Sequence, residues 1–129
     1  MVHLHLYERH ESDRIMSNEL LNVNNQKVTL DEISENVIAV HQRNNWRQRT
    51  YQERMLYLIS EVGELATVLI EVDNVRSVST DDLKVRISEE MADVIWNICA
   101  LAIGLDIDLN VAVNGKLQKM IERVWDNAQ

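Results

Sequence analysis

No proline interrupts this chain, and glycine occurs only three times in 129 residues. All-β folds with many tight turns usually need both, whereas long helices tolerate such a composition. A single cysteine, Cys99, excludes an intrachain disulfide. It lies inside an apolar run, so it reads as a buried structural thiol rather than a nucleophile, and a reducing cytoplasm is the expected compartment. Apolar runs long enough to span a bilayer are also missing. The nearest, Met91 to Leu105, is short and interrupted by Asp93 and Asn97, so no membrane partner is expected. Met1 to Leu6 is too short, and too broken by histidines, for the apolar part of a signal peptide. Basic residues are scarce: 13 Lys and Arg face 21 Asp and Glu, for a net charge of −8. A nucleic-acid polymer is therefore not an expected partner, because its backbone is held by clustered Lys and Arg. A free nucleotide remains compatible, since metal ions neutralise protein carboxylates and phosphates alike.

The length fits one domain with one core. Residues 1–27 differ from the rest. Val2, Leu4 and Leu6 alternate with polar residues as a weak strand would, and Asn22 to Gln26 is asparagine-rich. This segment reads as a partly ordered N-terminal extension, and residues 28–129 as the domain. Thr29 with Glu32 forms a capping box ahead of Leu30, Ile33, Val37, Ile38 and His41, and Asn44-Asn45 marks the end of that helix. Thr50 with Glu53 opens a second helix whose broad apolar face carries Met55, Leu58, Ile59, Val62, Leu65, Ala66 and Leu69. A loop over Asp73 to Thr80 precedes a third helix, capped by Ser79 or Thr80 and ended by Gly104. Asp106 or Asp108 caps a fourth, carrying Leu109, Val113, Leu117, Met120, Ile121 and Val124. Gly115 inside it costs on the order of 1 kcal/mol, so a bend or break is allowed there. Four helices with short connections predict an all-α, four-helix-bundle-like fold. The third helix is apolar all round, and three partners cover it poorly, so contacts with a second subunit are expected to complete the fold.

Two carboxylate pairs carry the chemistry. Glu61 and Glu64 share one face of the second helix, with Glu61 about 40° from Leu65 at the edge of the apolar stripe. Gly63 between them leaves room for another backbone or a ligand. Glu90 and Asp93 share a face of the third helix, and Asp93 is the only charge from Met91 to Leu105. A lone E-x-x-E is ordinarily a solvated face. Asp93 is different: it is expected to be buried, and a buried acid must be protonated, paired or metal-bound. No histidine follows a glutamate by three residues, which removes the di-iron pattern, and zinc-ligand spacings are missing. A hard cation such as Mg²⁺, acting on a phosphate ester or anhydride, remains.

The motifs Glu61-Val-Gly-Glu64-Leu-Ala, Glu89-Glu90-Met-Ala-Asp93-Val, Gly104-Leu-Asp-Ile-Asp-Leu and Lys116-Leu-Gln-Lys119 resemble those of the all-α nucleoside triphosphate pyrophosphohydrolases of the MazG type. The likeness covers about residues 29–124 and is nearest to the small MazG-like and dCTP pyrophosphatase-like enzymes. It implies hydrolysis of a (deoxy)nucleoside triphosphate between the α and β phosphates, in nucleotide pool cleansing or control. It also implies Mg²⁺, with Mn²⁺ as a substitute, held by Glu61, Glu64, Glu90 and Asp93, one of which orients or deprotonates the attacking water. The implied assembly is a homodimer or homotetramer. By motif position Lys116 is the implied phosphate contact and Arg123 a later basic one, while Met120 stands where the family often has asparagine. Trp46 falls where relatives place a tryptophan near the base; it either stacks on a base or plugs a helix end. The Asn97 amide either reads a base edge or sugar or closes a polar contact. His41 reads as a packed histidine, and Trp96 and Trp125 as core or interface. Arg54 ranks below Lys116 as a phosphate contact or a partner of Glu61. A catalytically silent helical module that binds nucleotide or protein is the alternative, and a structural bundle with incidental acids a third reading.

Overall fold

The computed structural model describes residues 27–74 and 80–123. The described chain is all-α: α1 (Leu30–Arg43), α2 (Tyr51–Asn74), α3 (Thr80–Gly104) and α4 (Leu109–Glu122). The alternating segment at residues 2–7 and most of the expected extension, Ser79, Val124 and Trp125 lie outside the described residues.

Side chain and backbone groups close the helix ends as the local sequence dictates. Thr29 and Glu32 exchange hydrogen bonds at the start of α1, at 3.2 and 2.7 Å. Thr50 and Glu53 do the same at the start of α2, at 3.2 and 2.8 Å. Each box satisfies amides that the first helical turn leaves without partners. At the end of α1, Trp46 N–H donates to the His41 carbonyl and Asn45 N–H to that of Gln42, both at 3.1 Å. Asn45 takes φ 56°, which makes this a Schellman ending with asparagine in the left-handed position. Asp108, not Asp106, caps α4, accepting from Val111 N–H at 3.0 Å.

Two glycine expectations need correction. Gly104 ends α3, but the left-handed residue there is Asp106, at φ 55°. Asp106 and Ile107 close that Schellman ending onto Ile103 and Ala102. Gly104 serves packing instead: a Cβ there would stand 3.4 Å from Arg54 Nε. Gly115 breaks nothing, and α4 runs through it intact.

The core lies between α1 and α3. Val37, Cys99 and Ala100 are fully enclosed, with Leu30, Ile33, Trp96, Ile103 and Leu109 packed around them. α2 runs antiparallel to α3, tied at one end by Arg86 donating to Glu71 at 2.6 Å and at the other by Arg54 against Gly104. The inward face of α2 is Tyr51, Arg54, Leu58, Glu61, Leu65 and Val68. Only Leu58 and Leu65 of the expected apolar face belong to it, while Met55, Ile59, Val62, Ala66 and Leu69 are exposed. α2 carries two apolar stripes that share its leucines, and one chain covers only the stripe bearing Arg54 and Glu61. α3 is likewise open on one side, with Met91, Ile95 and Ile98 exposed.

Asp93 is exposed, against the expectation of burial. The apolar run around it is not enclosed within one chain, so composition alone overstated its burial. α4 turns 111° from the direction of α3 and meets α1 near Leu109. No single helix among the described residues is long and apolar enough to cross a membrane.

Candidate active site

One helical turn of α2 presents Glu61 and Glu64, and α3 presents Glu90 opposite. One carboxylate oxygen from each lies within 4.8 Å of the other two. Glu61 and Glu90 are half-buried and Glu64 is exposed. The Ser60 hydroxyl donates to Glu64 at 3.4 Å. Burial pushes the Glu61 carboxyl above its ordinary range, and the charges of Asp93, Glu64 and Glu90 push it further. Such mutual repulsion is relieved by a proton or a cation. Around an octahedral Mg²⁺ at about 2.0–2.1 Å, adjacent ligand oxygens stand about 3 Å apart and opposite ones about 4 Å, so this trio would close by about an ångström or two to hold a hard divalent cation. Asp93 is outside the trio but near enough for its charge to act on Glu61.

Beside the trio opens a cavity of about 270 Å³, where Glu61 and Asp93 meet Trp46, Trp96, Asn97 and Arg54, with His41, Arg49, Tyr57 and Ala100 completing the wall. Thus five sequence-derived candidates, Glu61, Asp93, Asn97, Trp46 and Arg54, share one cleft. His41 and Trp96, read from sequence as packing residues, line it as well. His41 packs edge-on to Trp46, with ring centroids 5.2 Å apart. Its imidazole is pushed toward the neutral form by burial first, then by the charges of Arg54 and Arg49. Arg49 lies over the Tyr57 ring, 4.1 Å from its centroid, and donates to the Tyr57 hydroxyl at 2.7 Å. Asn97 Nδ2 donates to the Asp93 carbonyl one turn back at 3.0 Å.

Lys116 and Arg123 lie elsewhere. Both are exposed, and neither lines the cavity, because α4 turns away from α2. The cations that the chain brings to its cleft are Arg49 and Arg54. Arg54, ranked below Lys116 from sequence, lines the cleft that Lys116 does not reach. Tyr57 could have been found in the sequence: it precedes Glu61 by four residues and shares its helical face. His41 carries no such signal, because only the packing of α1 on α3 brings it there.

Residues 49–125 match the MazG nucleotide pyrophosphohydrolase domain. The chain belongs to the MazG family. The three converging carboxylates all lie inside the matched MazG segment. Its boundary falls after α1, so His41 and Trp46 reach the cavity of the MazG domain from outside the match. No curated protein matches this chain.

Proposed function

We propose that this MazG domain hydrolyses (deoxy)nucleoside triphosphates between the α and β phosphates, releasing monophosphate and pyrophosphate, in nucleotide pool cleansing or control. One observation carries the reading: three carboxylates from two helices converge at the edge of a cavity walled by aromatic rings and arginines. Glu61, Glu64 and Glu90 hold the cation, Mg²⁺ or in its place Mn²⁺, with Asp93 completing the set. When bound, the ion stabilises charge on the phosphoryl oxygens and makes water a better nucleophile. Water adds to the α-phosphorus as the bond to the bridging oxygen breaks, and its proton passes to a carboxylate of the cluster. Trp46 and Trp96 offer faces for a base, and Asn97 an amide for a base edge or sugar.

Two copies or four would bury the second apolar stripe of α2 and the open side of α3, so we assign a homodimer or homotetramer. Lys116 and Arg123 act as phosphate contacts only if assembly brings them to a cleft. The enclosed thiol of Cys99 suits a reducing cytoplasm.

The test is incubation with a panel of nucleoside triphosphates, with Mg²⁺ and then with EDTA, and chromatography of the products. Metal-dependent release of monophosphate and pyrophosphate is expected; no turnover of any nucleotide would overturn the reading. The position of α4, which keeps Lys116 and Arg123 from the cavity, favours one alternative, a silent nucleotide-binding module. Mg²⁺-dependent thermal stabilisation by nucleotides without turnover would identify it.

A further inference from the structure

The cavity has a direction. The carboxylate trio marks one end, and the contact of Arg54 with Gly104 marks the other. Arg54 precedes Glu61 by two helical turns on the inward face of α2, about 10 Å along the axis. That span is comparable with the reach of a nucleotide from its α-phosphate to its base edge. A nucleotide with its phosphates on the carboxylates therefore extends its base past Trp96 and Asn97 toward Arg54.

Arg54 is the one buried charged side chain among the described residues, only 8% exposed, and it lines the cavity. Its guanidinium carries five N–H donors and no acceptor, so it can hold a neighbour in the protein and still present donors to a ligand. Between the carboxylates and Arg54, Asn97 turns its Nδ2 to the Asp93 carbonyl, which leaves Oδ1 as the acceptor of that amide. Arg49 also lines the cavity, but of the two arginines Arg54 is the buried one. A site shaped to donate to a carbonyl discriminates against a base that lacks one.

We propose that Arg54 selects the base: its guanidinium donates to a nucleobase carbonyl, so the site favours cytosine, uracil, thymine and guanine nucleotides over adenine nucleotides. Cytosine O2, the O2 and O4 of uracil and thymine, and guanine O6 beside N7 all offer the required acceptor, and guanine accepts in bidentate fashion. Adenine has no carbonyl. The inference rests on the proposed function of the same cavity, with the phosphates at the carboxylates.

The experiment measures kcat/KM for the four common bases with the whole chain and its Arg54→Met and Arg54→Lys variants. The wild type is expected to favour the carbonyl-bearing bases over adenine by about 10-fold or more. Arg54→Met should bring that ratio close to one, mainly through KM for the favoured bases. Arg54→Lys keeps a donor and a charge, should retain part of the ratio, and serves if the methionine variant fails to fold. Equal or better use of adenine by the wild type overturns the proposal. So does a uniform loss on every base in Arg54→Met, which would leave Arg54 a structural role only. If nucleotides bind but none is hydrolysed, the hydrolytic reading alone fails. The same ratio is then read from Mg²⁺-dependent calorimetric binding, where its presence supports Arg54 and its absence overturns it. Failure of every nucleotide to bind overturns both.

Discussion

Arg54 of α2 rests against Gly104 in the last turn of α3: a Cβ on Gly104 would stand 3.4 Å from Nε and 3.5 Å from Cδ of the arginine. Gly104 does not take a positive φ, so space rather than backbone conformation matters there. Gly104→Ala should be tolerated, with stability changed by less than about 1 kcal/mol. Gly104→Leu should displace Arg54 and cost about 1–3 kcal/mol by overpacking. Thermal unfolding of the two variants checks the contrast.

Glu61 is half-buried, and burial first, then the charges of Asp93, Glu64 and Glu90, raise its carboxyl. Glu61→Gln should cut turnover by on the order of 10²–10⁴-fold, since it removes a carboxylate ligand of the proposed cation. Without metal the variant should melt no lower than the wild type, because a charge leaves a repulsive cluster. Steady-state rates and melting with and without Mg²⁺ measure both effects. Full activity in the variant would place the site elsewhere.

Acid should pull stability in two directions in the metal-free protein. Arg47 and the Thr50 amide hold the Glu53 carboxyl down to about 2 from 4.5. Its stabilising contribution is therefore complete above 4.5 and is lost as pH falls toward 2. The Glu61 carboxyl is raised above 4.5, so its ionisation costs stability that acid restores. The folded protein gains as pH falls through the raised value toward 4.5. Melting curves against pH in EDTA should lose the first slope in Glu53→Gln and the second in Glu61→Gln. Cation affinity should fall with acid, since protons compete for Glu61.

Two helix substitutions should have opposite signs. Thr50→Ala removes the acceptor for Glu53 N–H and should cost about 1 kcal/mol. Gly115→Ala adds a methyl group where nothing lies within 4 Å and should stabilise α4 by up to about 1 kcal/mol. Denaturant titration resolves both.

Exposed Ile59 on α2 and Ile95 on α3 lie on the faces assigned to assembly. Ile59→Glu with Ile95→Glu should convert the oligomer to monomers in sedimentation analysis, because charges do not bury between apolar faces. An unchanged sedimentation coefficient would remove these helices from the interface.

Local chemistry was the legible part. Thr29 and Glu32, Thr50 and Glu53, Asn45 and Asp108 mark helix ends through hydrogen bonds that span a few residues, so order along the chain suffices to find them. The spacing of Glu61 and Glu64 places both on one face for the same reason. The burial of Asp93 was not legible, because apolar composition shows which surface seeks cover and not whether one chain provides it. Lys116 and Arg123 looked like site residues by position, but the turn between α3 and α4 carries them away from the cleft.

The sequence by itself determined the four helices, the capping boxes of α1 and α2 and the carboxylate motif, because capping and helical periodicity act within a few residues. Only the tertiary structure decided which stripe of α2 faces α3. The outward stripe, Met55, Ile59, Val62, Ala66 and Leu69, is the more apolar of the two, yet packing within one chain chose the one carrying Arg54 and Glu61. That choice brought Glu90 to Glu61 and Glu64 and enclosed Arg54 against Gly104, and the cavity gathers His41 of α1, Trp46 of the connection after it and Trp96 of α3.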